Sequence, residues 1–385
     1  MNILIISSQY PPINKANLYT ENMALHYAAR QWVKMGHKVF AFPLFIQSES
    51  FLDNPNNTFS KKIFETVADN VSLFIKDFKR KKSDGSVKKS AIRKAAKQYR
   101  RVLKELPPID LAIVHSPSST YDFADHLRLS CPKAVVFDTR DCKRITVPKL
   151  ARYHRMYNAF GYTLESVKTK IESIGQIDKP SFITRSEVPH FVMPEQCDKQ
   201  WNSDIIRLVF AGELAPHKNI DVIINALSKV DNRHKFHLDI IGMGSMEPAL
   251  RRLVVNNGLT DIVTFNGSML KSDVFSKFRS SDVFVMASSH LSFGLSYLEA
   301  MSQGCIALCV ETERIDGIIQ DGVNGYILKA KDVEALTSKL NEIAALSADK
   351  FAAMSAAAVE TASSLTEEQT AARYIEEVLA SIEKK

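Results

Sequence analysis

Glu299 is the only acid in the fifteen residues "HLSFGLSYLEAMSQG" at 290–304, just after a Phe-Gly turn and on what reads as the first turn of a short helix. Its neighbours offer a use that needs no ligand. Ser296 and Glu299 have the spacing of a capping box, in which Ser296 accepts from a helix amide and Glu299 reaches back to the Ser296 N–H. Other reactive side chains fall where apolar runs give way to loops. Lys218 follows the glycine turn of "RLVFAGELAPHKNIDVI" near a helix start, where its charge adds to the helix dipole at an anion site. The loop "SSQYPPINKANLYTEN" carries Lys15 and leads into a helix; it is either an anion site or a rigid Pro-Pro connector. His115 ends "DLAIVH" before a Pro- and Ser-rich loop, and serves either chemistry or a hydrogen bond to a neighbour. Asp138, Arg140 and Asp141 follow "VVF" and form either part of a binding pocket or a buried salt bridge; an Arg beside two carboxylates favours the bridge. Gly242 and Gly244 after "DII" are alone a weak signal.

The elements that position these residues alternate between β-rich apolar runs and helical patterns. Candidate strands are 3–6, 39–42, 111–114 and 134–137 in the first half, then 208–210, 238–241, 263–265, 283–286 and 306–310, with a further strand after the tight turns of "IIQDGVNGYIL". The runs are continuous rather than alternating, as parallel strands covered on both faces require. The spacing therefore predicts two doubly wound, Rossmann-like α/β domains facing a cleft at the carboxyl ends of their strands. The boundary falls within 180–205, which holds three prolines and no sustained period. The expected domains are 1–190, 191–365 and a terminal helix, 366–385, that opens on the box Thr366 to Gln369 and packs back toward the first domain.

A chain of 385 residues is too long for one core, and 45% hydrophobic with 24% charged residues excludes a disordered or fibrous protein. No apolar run approaches the roughly 20 residues that cross a bilayer, and no signal peptide is expected from "MNILII". Five cysteines without a CxxC pattern suggest a reduced, cytoplasmic protein, with Cys305 and Cys309 as buried thiols rather than metal ligands. The net charge of +7 is concentrated in residues 76–104, which hold thirteen Lys or Arg against two Asp, so the rest is slightly acidic. Residues 61–106 are expected to form a basic helical hairpin, with Val67, Val71, Phe74 and Phe78 on one stripe and Ala91, Ala95, Tyr99, Val102 and Leu106 on the other. Such a pattern suits an anionic membrane surface or acceptor, or else a solvated hairpin packed on the sheet. No recognisable nucleic-acid module accompanies the charge.

The ordered set "RLVFAGELAPHKNIDVIINAL", "HLDIIGMGS", "VTFNGSM", "SSDVFVMASS", "SFGLSYLEAMSQG" and "IIQDGVNGYIL" resembles the donor-binding domain of retaining GT-B glycosyltransferases. It is most similar to family 4, which includes bacterial lipopolysaccharide and phosphatidylinositol mannosyl transferases. "ILIISSQYPP", "MGHKV" and "DLAIVH" extend the resemblance more loosely through the first half. The resemblance implies transfer of a sugar from a nucleotide-diphosphate donor to a surface-glycan or lipid-linked acceptor. It also implies retained configuration, no cofactor and no metal, on the cytoplasmic face of a membrane. Glu299 matches the second acid of a Glu–seven residues–Glu motif, where a carboxylate takes both ribose hydroxyls. Backbone amides around Phe293, Gly294 and Leu295, next to Ser296, would face the donor sugar and diphosphate. Lys218 matches the lysine that neutralises the leaving diphosphate, near Gly212 and Glu213, and His115 a histidine near donor sugar and acceptor.

Four positions depart from the family pattern. Leu291 stands where the first acid of the motif belongs, and Glu213 where an Arg is usual. Lys15-Ala16 and Glu313-Arg314 each replace a glycine pair, so Lys15 or Arg314 is expected to supply the missing Arg charge. Leu291 fits a donor with fewer hydroxyls, reliance on backbone amides, or a catalytically silent GT-B subunit that binds glycan or a partner.

Overall fold

The computed structural model describes residues 1–8, 10, 24–47, 62–79, 87–115, 118–138, 141–184, 199, 201, 204–288, 295–311 and 317–383. They fall into two compact units, one holding Met1–Ile13, Met23–Arg185 and Glu367–Lys385, the other Ser186–Thr366.

The first unit is built on strands β1 (Asn2–Ser7), β2 (Lys38–Gln47), β3 (Phe64–Ala68), β4 (Val71–Lys79), β5 (Leu111–His115), β6 (Lys133–Phe137), β7 (Ala159–Tyr162) and β8 (Ser181–Ile183). Their order in the sheet is β3-β4-β2-β1-β5-β6-β7-β8, parallel throughout except for β3 against β4. The chain winds outward from β1 in both directions, so the order reverses between β1 and β5, the point where doubly wound sheets open a crevice. Helices α1 (Ala24–Lys34), α2 (Lys89–Glu105), α3 (Ser118–Leu127), α4 (Val147–Met156) and α5 (Glu165–Glu172) belong to this unit.

Residues 61–106 correct the expected helical hairpin. The first arm is a β-hairpin, because Asp69 and Asn70 adopt φ +48° and +61° and make the tight two-residue turn that right-twisted strands favour. The stripe Val71, Phe74, Phe78 imitates a helix because β4 is buried on both faces, so apolar residues need not alternate. The second arm is the helix α2, whose Ile92, Ala95, Ala96 and Tyr99 face the interior, with the Tyr99 hydroxyl donating to the Phe74 carbonyl at 2.6 Å.

In the second unit, β9 (Ile206–Ala211), β10 (Phe236–Ile241), β11 (Val263–Gly267), β12 (Val283–Val285), β13 (Ile306–Val310) and β14 (Gly325–Leu328) form an all-parallel sheet. Its order is β11-β10-β9-β12-β13-β14, which is 3-2-1-4-5-6 in chain order and reverses between β9 and β12. Helices α6 (Ile220–Leu227), α7 (Glu247–Asn256), α8 (Lys271–Ser280), α9 (Leu295–Ser302), α10 (Val333–Ala344) and α11 (Ala348–Ser363) follow its strands. Cys305 and Cys309 are buried at and within β13.

The terminal helix α12 (Glu367–Glu383) packs on the first unit. Ala371, Tyr374, Ile375 and Val378 join Ala28, Ala29 and Trp32 of α1 over one sheet face that includes Ile3, Ile5, Val39 and Ile113. Trp32 Nε1 donates to the Ala371 carbonyl at 2.9 Å, and Arg30 makes a bidentate pair with Glu367 at 2.6 to 3.0 Å. Glu367 is buried, so this pair lies in a setting where losing one partner is costly.

Candidate functional site

The reversal between β9 and β12 directs attention to the loops that follow those strands. The loop after β9 is fastened to the loop after β10 backbone to backbone. Gly212 N donates to the Ile241 carbonyl, Leu214 N to Met243 and Met246 N to Leu214, each at 3.0 Å. The approach is so close that a Cβ on Gly242 would lie 1.9 Å from the Gly212 oxygen, and one on Gly244 2.3 Å from the Leu214 oxygen. Gly242 also has φ +129°, so the Gly-Met-Gly stretch serves loop-to-loop contact.

Beyond this clasp, Pro216–Lys218 form a turn of 3-10 helix. Asn219 then takes φ +49° and donates through Nδ2 to the Ala287 carbonyl at 2.7 Å. Tyr297 of α9 donates its hydroxyl to the Met286 carbonyl at 3.0 Å. The chain leaving β12 is thus held from α9 on one side and from the β9 loop on the other. Lys218 is half-buried with Nζ 3.7 Å from Met286 Sδ, and among the described residues no acid pairs with it. Lys218 follows β9 at the reversal point, and Gly212 is also half-buried. Glu213 is exposed to solvent.

Glu299 is 1% exposed on α9. Its Oε1 lies 2.9 Å from Lys271 Nζ at the start of α8, and among the described residues no other group bonds to that oxygen. The contact is an ion pair whose oxygen keeps its accepting capacity. The capping box is corrected here: Leu295 and Ser296 are the first two residues inside α9, so Ser296 is not the N-cap, and the Glu299 carboxylate is turned to Lys271. Leu295 and Ser296 are half-buried. Phe293, Gly294, Leu291, Lys15, Arg314 and Arg140 lie outside the described residues.

His115 ends β5 at the reversal point of the first sheet, and it shares a 2.8 Å hydrogen bond through Nε2 with the Tyr374 hydroxyl of α12. Tyr374 also packs edge-on to Trp32 with ring centroids 5.2 Å apart. Burial pushes the His115 imidazole down to about 4, against the opposing pull of Asp138, so the ring is neutral at pH 7. Nearby, Asp141 Oδ2 accepts from the Tyr121 hydroxyl and from Asp138 N, both at 3.0 Å, which gives it a role in closing its turn. A second buried histidine, His26, bridges the Tyr10 hydroxyl at 2.8 Å and Asp69 at 2.9 Å. Burial lowers its proton affinity, while the Asp69 hydrogen bond and charge raise it.

Sequence reasoning missed Asn219, Tyr297, Lys271 and Tyr374. Only Lys271 carried a local signal, since a lysine in the first turn of a helix has the wrong sign for the dipole and needs a partner elsewhere.

Residues 195–360, which lie in the second unit, match the family Glycosyl transferases group 1. The chain is similar to an uncharacterized glycosyltransferase of Methanocaldococcus jannaschii, 30% identical over 129 residues that cover 34% of this chain and 33% of the relative. It is also 29% identical over 183 residues to the D-inositol 3-phosphate glycosyltransferase of Streptomyces scabiei, covering 45% of this chain and 41% of that one. The matched stretches therefore span well under half of these relatives. Among solved structures, Anabaena HepE in complex with UDP and glucose aligns with a TM-score of 0.69 at 15% identity, over 99% of this chain and 100% of that one. Sucrose-phosphate synthase of Thermosynechococcus elongatus aligns at 0.76 and 13% identity, over 98% of each chain. The fold is that of the GT-B glycosyltransferases, with two α/β units built on parallel sheets.

Proposed function

We propose that the protein is a retaining, metal-independent glycosyltransferase that moves a sugar from a nucleotide-diphosphate donor to a surface-glycan or lipid-linked acceptor. The observation that carries this reading is Lys218, a half-buried cation with no acid partner among the described residues, held where the second sheet reverses. A diphosphate leaving group gains negative charge as the glycosidic bond breaks, and a fixed ammonium stabilises that charge without a metal ion. Glu299, whose buried Oε1 meets Lys271 and no other group among the described residues, fits the ribose hydroxyls. Leu295 and Ser296 open the helix beside the sugar and phosphates. His115 is assigned to the acceptor, with its Nε2 sharing a hydrogen bond with the Tyr374 hydroxyl. Lys15 or Arg314 supplies the charge that Glu213 does not, and unchanged donor affinity in both Lys15→Ala and Arg314→Ala would remove that assignment.

The acceptor side is argued from charge. Lys89, Arg93, Lys94, Lys97, Arg101 and Lys104 stand exposed on α2, and no ion pair forms on them among the described residues. With the apolar side of α2 buried, attachment to an anionic membrane is electrostatic, and each near-surface cation contributes about 1 kcal/mol. No helix among the described residues is long and apolar enough to cross a membrane. Flotation with anionic liposomes should therefore fall steeply with salt, and neutralising these six residues without loss of flotation removes the membrane surface from the reading.

A thermal-shift screen across nucleotide-sugars tests the donor. A true donor raises the melting temperature through mass action, by about 2.7 kcal/mol of added stability at a hundred times its Kd. No shift with any UDP-, GDP- or dTDP-sugar would count against a donor site and favour a silent subunit.

A further inference from the structure

Lys271 is the first residue of α8, where the helix dipole disfavours a cation and where side chains are free to point to water. It is instead only 21% exposed and reaches across to a different helix, placing Nζ 2.9 Å from the Oε1 of Glu299, which is 1% exposed. Two observations make this more than an incidental surface pair. The Glu299 carboxyl group is almost fully removed from water, so its oxygens need partners within the protein. Among the described residues no other group bonds to this Oε1, so the oxygen that meets the lysine still has a lone pair with which to accept.

We propose that Lys271 is a positioning residue of the nucleotide site: it holds the buried Glu299 carboxylate aimed so that Oε1 accepts a sugar hydroxyl. This deepens the donor reading above and rests on it. The other two cations of α8 have partners elsewhere. Lys277 pairs with Asp239 at 3.0 Å, and Arg279 donates to Gln303 Oε1 at 3.1 to 3.3 Å. Lys271 is therefore the cation of this helix assigned to Glu299. With Leu291 in place of a first acid, Glu299 is the remaining carboxylate of the motif, and ligand affinity falls more heavily on its geometry.

The test is calorimetric titration of UDP and of GDP into wild type, Lys271→Met, Lys271→Arg, Glu299→Gln and the double variant Lys271→Met/Glu299→Gln, with melting temperatures recorded for each. The expected result is about tenfold weaker binding in Lys271→Met, recovery to within about threefold in Lys271→Arg, and a double variant no weaker than Glu299→Gln alone. A contact that only steadied the fold would lower the melting temperature and leave the two losses additive. If Glu299→Gln weakens binding while Lys271→Met binds as wild type, the positioning role is overturned and the donor reading stands. If neither UDP nor GDP binds wild type, or Glu299→Gln changes nothing, the ribose reading fails and the positioning role with it.

Discussion

The strand ends of the two sheets are fixed by different means. In the second unit the clasp is local and made of backbone: Gly242 against Gly212, Gly244 against Leu214, over about thirty positions of chain. In the first unit a strand end and a helix are tied by side chains from far away in sequence, as Tyr374 reaches His115 of β5 and Glu367 reaches Arg30 of α1. A glycine that permits contact leaves a mark in the sequence, whereas a tyrosine meeting a histidine 259 positions away leaves none. The family match covers 195–360, the region whose strand ends glycine fixes.

Perturbing each kind of tie should break the two units differently. The largest effect is expected from Gly242→Ala, whose methyl would overlap the Gly212 carbonyl in a backbone conformation that L residues avoid. Denaturant titration should show a loss of about 4 kcal/mol, with nucleotide binding lost as well. A loss below about 1 kcal/mol would mean that the two loops can part without consequence. Next comes Arg30→Ala, which strands the buried Glu367 carboxylate and should destabilise the first unit by about 3 kcal/mol while sparing nucleotide affinity. Equal damage to nucleotide affinity would refute the separation of roles.

A smaller effect concerns pH. His115 takes a proton below about 6.5 when unfolded but only near 4 in the fold. Between those values the unfolded chain binds more protons, so stability falls as pH drops from 6.5 to 4 and is unaffected by this group above 6.5. Over that window His115→Gln should lose about 3 kcal/mol less than wild type, measured by denaturant midpoint; parallel curves would show that the ring is not held neutral. The smallest effect is expected from Tyr374→Phe, about 1 kcal/mol, since only one hydrogen bond is removed from a ring that keeps its packing against Trp32.

These contrasts explain what could be read from the sequence. The central strands, each a continuous apolar run, were legible because burial on both faces leaves no polar position to interrupt them. The same property misled at β4, where two buried faces produced a spacing that imitated a helix, although the Asp69-Asn70 turn was there to be seen. Lys218 was legible from its place after a glycine turn, and the structure leaves it half-buried without an acid among the described residues. The capping box at Ser296 was misread because three-residue spacing alone cannot say where a helix starts; the tertiary contact with Lys271 decided the fate of Glu299.

The proposed donor site places a nucleotide-diphosphate sugar against Lys218 of the second unit. Donor-dependent nucleotide release, followed with a donor that shifts the melting temperature, should fall about a hundredfold or more in Lys218→Ala relative to wild type, at unchanged melting temperature without ligand. Release that is identical in the two proteins, or absent from wild type with every donor, would contradict it.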